Sequence, residues 1–194
     1  MTEEKLRSDF ALLQKRYRED PKKHRIPYAV GCVCVAPIQP EDAEKLYRQA
    51  LEIFTDLEAS GADFTAAWLA RAHQELGILL SDQGDDENAE AHLRQALARC
   101  RQPMGHPAHR HVIGEKLAEC AEALGTFLLT RGRFREGEKL VLEALEIHEC
   151  LMESTPDPHR QEAREICAAL AEVYRSYGMT EEASIMAAKA AKLQ

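Results

Sequence analysis

The chain of 194 residues lacks any apolar run that approaches the roughly 20 residues of a membrane-spanning helix. Its first residues, MTEEKLRSDF, are charged, which argues against a signal peptide. Positive charge is also scarce, because 25 basic residues face 33 acidic ones and the net charge is −8. This balance disfavours general binding to nucleic acids or anionic membranes, which need a positive field. We therefore expect a cytoplasmic protein with neither partner.

Motifs for catalysis and metal binding are missing as well. The chain has no glycine-rich phosphate loop, no nucleophile elbow and no HExxH motif. The histidines of HPAHRH (His106, His109 and His111) have no cysteine or acidic ligand fixed nearby. Because 45% of the residues are hydrophobic, the core needs no disulfides, and reduced thiols are expected. Six cysteines lack paired metal spacing: Cys32, Cys34, Cys100, Cys120, Cys150 and Cys167. We predict no enzymatic activity, no cofactor and no metal.

A helical repeat is what the chain does contain. Three segments align without gaps: ELGILLSDQGDDENAEAHLRQAL from residue 75, ALGTFLLTRGRFREGEKLVLEAL from residue 123, and ALAEVYRSYGMTEEASIMAAKAA from residue 169. Each reads as a helix, a glycine turn at Gly84, Gly132 or Gly178, and a second helix with small residues at matching positions. The glycines predict left-handed caps, and Asp85 or Thr180 predicts the N-cap of the second helix.

The stretch IPYAVGCVCVAP, from Ile26 to Pro37, looks least like the rest of the chain. Stepping back 46 residues from Leu76–Gly77 lands on Val30–Gly31, which is the position of a first helix. We therefore predict a degenerate helix from about His24 to Ala36, although valine and glycine are poor helix formers. An extended segment or a metal or redox site at its two cysteines are the alternatives.

The predicted organisation is a single domain built from one helix and four hairpins. Leu6, Phe10, Leu13 and Tyr17 form one stripe of the first helix, which Asp20 and Pro21 end. The predicted segments are the N-terminal helix 1–20 and the repeats 24–58, 63–102, 108–153 and 159–194. We expect an all-α solenoid of about nine helices.

The leucine–glycine pairs, the glycine turns and the recurring alanines resemble tetratricopeptide repeats. The loops MGHPAH and STPDPH are similar to those of the long-helix repeats of kinesin light chain and its relatives. The resemblance implies a right-handed superhelix of antiparallel hairpins whose first helices line a concave groove for a peptide or helix of a partner protein. It implies a non-catalytic adaptor or scaffold. A peptide-responsive regulatory or oligomerising domain, including a homo-oligomer, and an accessory subunit of an enzyme are the alternatives.

The groove positions follow from the alignment of the repeats, which places them on the first helices. The carboxylate clamp and the asparagine pairs of related repeats are absent, so the resemblance does not identify the partner. Many of the residues at these positions are acidic, which favours a basic segment as ligand. The alternative is an ordinary solvated helix face. Trp68, Phe64 and Tyr47 are either apolar anchors or core. The predicted groove residues are Arg71, Gln74, Glu75, Ile78, Glu119, Glu122, Thr126, Glu165, Glu172 and Arg175.

Overall fold

The computed structural model describes residues 2–62, 65–101 and 110–193, with only the backbone described at 110–113. These residues form helices and turns, with no strand among them, so the all-α prediction is confirmed. A 3₁₀ turn, Ala36–Ile38, follows the second helix. The described α-helices are α1 (Glu3–Glu19), α2 (Pro21–Val35), α3 (Ala43–Ala59), α4 (Thr65–Asp82), α5 (Asp86–Cys100), α6 (Arg110–Thr130), α7 (Phe134–Leu151), α8 (Pro156–Ser176) and α9 (Thr180–Lys192).

The chain divides into two compact units, unit 1 at residues 1–102 and unit 2 at residues 103–194. In unit 1, each of the helices α1 to α5 packs against its neighbours in sequence, and α2 also touches α4. In unit 2, α6 pairs with α7, α7 with α8 and α8 with α9. Each unit has its own buried apolar core, which is the arrangement expected of stacked helical hairpins. That all repeats form a single solenoid stays a prediction.

The turns inside the hairpins end α4, α6 and α8 in the same way. Gly84, Gly132 and Gly178 have φ of 82°, 76° and 74°, the left-handed region that favours glycine. In each turn the residue after the glycine donates its N–H to a carbonyl five residues earlier, as Asp85 does to Leu80 at 2.9 Å. The Asp85 side chain caps α5 by accepting from the Asn88 N–H at 3.3 Å. The predicted Thr180 cap is wrong, because Met179 is the N-cap residue and Thr180 is already helical.

Close approach of the paired helices depends on small residues. A Cβ placed on Gly125 of α6 would lie 2.7 Å from Val141 Cγ2 and 2.9 Å from the Gly137 carbonyl oxygen of α7. In the preceding hairpin, a Cβ on Gly77 would lie 2.8 Å from Leu93 Cγ. These separations are shorter than carbon atoms tolerate, so the two helices contact each other at backbone distance.

The unusual stretch from Ile26 to Pro37 is helical almost throughout, as predicted. Its helix, α2, starts earlier than expected, at Pro21, where the Asp20 side chain accepts from the Lys23 N–H at 3.1 Å. Packing compensates for the poor helix formers, because Tyr28 stacks on Tyr17 of α1 with ring centroids 4.3 Å apart. Gly31 faces Phe10 of α1.

The cysteines are free thiols. Cys32, one of the two cysteines of the alternative metal or redox site, is fully buried, and burial raises its pKa to about 12. Such a thiol is packed as a small apolar side chain. In the described residues no group of three or more histidine, cysteine, aspartate or glutamate side chains is arranged to hold a metal.

Two histidine pairs lie between helices. In unit 1, His73 Nδ1 of α4 is 2.8 Å from His92 Nδ1 of α5. In unit 2, His148 Nδ1 of α7 is 3.2 Å from His159 Nδ1 of α8. Burial, the partner His92 and the nearby Arg99 lower the pKa of His73 to about 4. The His73 pair is therefore neutral near pH 7.

Candidate partner-binding site

The predicted groove residues of unit 1 lie on α4 and differ in their exposure to solvent. Arg71 and Glu75 are half-buried and flank Tyr47 of α3. Burial, assisted by the Glu75 charge, raises the pKa of the Tyr47 hydroxyl. Gln74 is buried, whereas Ile78 is exposed. The α4 positions therefore combine one exposed apolar side chain with two half-buried side chains of opposite charge.

Of the aromatic residues predicted as anchors or core, Tyr47 belongs to the core and Trp68 packs on a core residue. Tyr47 is buried. Trp68 is half-buried and stacks on Phe54 with ring centroids 6.0 Å apart. Phe64 lies outside the described residues, as do His106, His109 and the side chain of His111.

In unit 2, Glu122 and Thr126 of α6 line a cavity of about 340 Å³ formed with α7 and α8. We refer to it as the Glu122 cavity. Its floor is apolar, because Val141, Ile166 and Leu170 are buried there. Its remaining lining residues are Leu129, Thr130, Ala169, Val173, Ser176 and Tyr177.

The other predicted residues of unit 2 lie elsewhere. Glu165, Glu172 and Arg175 of α8 line a second cavity, of about 430 Å³, with Ala168 and with alanines of α9. Consecutive helical residues point about 100° apart, so Ala168 and Ala169 lie on different faces of α8. The predicted set in unit 2 is therefore divided between two surfaces.

Three further carboxylates lie close enough to Glu122, in the Glu122 cavity, to act on it electrostatically. The pKa of Glu122 is raised, mainly by burial, and then by the negative charges of Glu162, Glu165 and Glu119. A half-buried carboxylate in an apolar cavity, beside three like charges, is electrostatically unfavourable without a cation.

Ion pairs within helices neutralise part of the predicted acidic surface. Lys116 forms an ion pair with Glu119, and Arg175 forms one with Glu172. Glu165 accepts a hydrogen bond from the Gln161 side chain at 2.9 Å. Among the residues that the structure describes, Glu122, Glu162 and Glu165 have no ion-pair partner. The uncompensated negative charge is therefore concentrated beside the Glu122 cavity.

The sequence prediction missed Glu162 and the apolar rim of the cavity. Glu162 lies three residues before Glu165, at helical spacing, so the register alone could have identified it. Val173 and Tyr177 resemble core residues in sequence. In the structure Tyr177 is 49% exposed, and its ring lies 4.6 Å from that of Phe134.

Part of the chain matches the sequence model of a known protein family. A model of the tetratricopeptide repeat matches residues 69–111 and 117–153. Over these residues the chain carries tetratricopeptide repeats. Such repeats are generally non-catalytic modules that bind other proteins. Within the described ranges, no helix combines the length and apolarity needed to cross a membrane.

A solved structure shows a similar fold. The crystal structure of BtubC (BKLC) from P. vanneervenii has a TM-score of 0.57 and 16% sequence identity, and the match covers 98% of this chain and 89% of that chain. At this identity the likeness shows the fold alone. The comparison with curated proteins gives no match.

Proposed function

We propose that the chain is a non-catalytic adaptor that binds a peptide or helix of a partner protein, with a preference for basic segments. The Glu122 cavity carries this proposal, because it joins an open apolar surface to uncompensated carboxylates. Apolar anchors supply most of the binding energy at protein interfaces, whereas complementary charge accelerates encounter and selects the partner.

The α4 positions Arg71, Gln74, Glu75 and Ile78 belong to the same proposal for unit 1. The exposed Ile78 offers a smaller apolar contact there, next to a charged pair that favours a mixed-charge ligand. Glu172 and Arg175 contribute less net charge, because they neutralise each other.

The test is a pull-down from the native lysate with the wild type and a Glu122→Lys, Glu162→Lys variant. We expect the wild type to capture a partner that is released by moderate salt, and the variant to lose it, because the field at the cavity has changed sign. The matched control is Glu146→Lys, Glu181→Lys, which makes the same change of net charge at exposed positions of α7 and α9. Equal loss of capture by the control would refute a specific role for the cavity.

A further inference from the structure

The Glu122 cavity is lined mainly by apolar side chains. Its apolar lining comes from three helices, with Val141 of α7 at the floor and Leu129 of α6 and Val173 of α8 half-buried above it. Ala169 keeps the cavity open, since the small residue lies at an exposed position of α8 where a longer side chain would project into it.

The length of the cavity suits a short segment. On α6 the lining runs from Glu122 to Thr130, eight residue steps apart, which corresponds to ~12 Å of helix at 1.5 Å per residue. Tyr177, directly after the last residue of α8, stands at the opposite end of the lining from Glu122 of α6. Its side chain is half exposed and packs against Phe134. An apolar side chain of the ligand would therefore contact an aromatic ring.

The negative charge near Glu122 determines which charge the ligand should carry. Glu122, Glu162 and Glu165 have no cation among the described residues, and Lys116 is already paired with Glu119. A lysine or arginine of the ligand would gain several partners and relieve the mutual repulsion of these carboxylates. An acidic ligand would add a further like charge to a site that is partly shielded from water.

We infer that the Glu122 cavity binds a partner segment in which one large apolar side chain lies within about two helical turns of a lysine or arginine. The apolar side chain occupies the space between Leu129, Val173 and Tyr177. The basic group pairs with Glu122 and its neighbouring carboxylates. This inference rests on the proposed function and specifies its ligand.

The experiment is a selection of random 12-residue peptides on the immobilised full chain, followed by calorimetric titration of the enriched peptides. We expect enrichment of a large apolar residue at a fixed spacing from a lysine or arginine. Ala169→Leu, which fills the cavity, should weaken binding by roughly tenfold or more. Glu122→Gln should weaken it roughly threefold to tenfold, and the loss should shrink in high salt.

Matched variants keep the result specific. Ala168→Leu adds the same side chain to the neighbouring exposed position, which lines the other cavity, and should leave the affinity within about twofold. Glu146→Gln removes one exposed carboxylate from α7 and should behave in the same way. Circular dichroism and the melting temperature of each variant confirm that the fold is retained.

The outcomes separate the two proposals. If no peptide is enriched, the proposed function fails and this inference fails with it. If the enriched peptides are acidic, or bind Ala169→Leu as well as the wild type, the adaptor function stands and the inference is overturned. If the wild type forms a dimer that Ala169→Leu dissociates, the cavity takes a second copy of the chain and the inference is again overturned.

Discussion

His73 shows how a single buried side chain makes stability depend on pH. In the unfolded chain a histidine binds a proton near pH 6.5, whereas in the fold burial, His92 and Arg99 lower the pKa of His73 to about 4. Between these values the unfolded state binds more protons, so the free energy of unfolding falls as pH drops from about 6.5 to 4. The maximum loss from His73 is about 3 kcal/mol.

The prediction is tested with His73→Gln, which keeps a polar group but has no such titration. Denaturant unfolding at pH 7.5 gives the cost of the substitution itself, because both proteins are neutral at this position there. From pH 6.5 to 4 the wild type should lose more stability than the variant. Parallel losses in the two proteins would show that other groups control the acid response.

At the scale of helices, the hairpin α6–α7 depends on Gly125. A Cβ there would overlap Val141 Cγ2 and the Gly137 carbonyl oxygen, and backbone cannot move aside as a flexible side chain can. We expect Gly125→Ala to lower the free energy of unfolding by about 1–3 kcal/mol, despite the better helix propensity of alanine. Gly114→Ala is the matched control on α6, since its Cβ would meet only Leu151 at 3.6 Å, an ordinary contact. Thermal unfolding measures both variants, and equal stability would contradict the close contact.

The helices were largely predictable from the sequence, whereas the site was not. The turns at Gly84, Gly132 and Gly178 were predictable because their left-handed backbone conformation favours glycine, a preference that acts within a few residues. The helical periodicity predicts one groove face per helix. α8 has 21 residues and contacts helices on two sides, so its residues face two different surfaces. The prediction places Thr126 of α6 and Glu172 of α8 in one groove, although they line different cavities. That division depends on tertiary neighbours, which periodicity does not encode.

Across the whole molecule, burial is lowest in the terminal helices. Phe10 is the only buried residue of α1, and Ala183 is the only buried residue of α9, whereas α4 buries nine. Repeat arrays lose structure first where a helix has fewest packed neighbours. We predict that the amides of α1 and α9 exchange with deuterium on the order of tenfold faster or more than those of α4. Mass spectrometry of exchanged peptides measures this, and uniform protection along the chain would contradict it.

The stacking of Trp68 on Phe54 has a spectroscopic consequence. Trp68 is the only tryptophan of the chain and belongs to unit 1, so tryptophan emission monitors the unfolding of that unit. Far-ultraviolet circular dichroism monitors the helices of both units. Transitions that coincide would mean that the two units unfold as one cooperative body, whereas an earlier or later emission change would mean that unit 1 unfolds separately from unit 2. One unmodified sample therefore contains an optical probe of how far cooperativity extends along the repeat array.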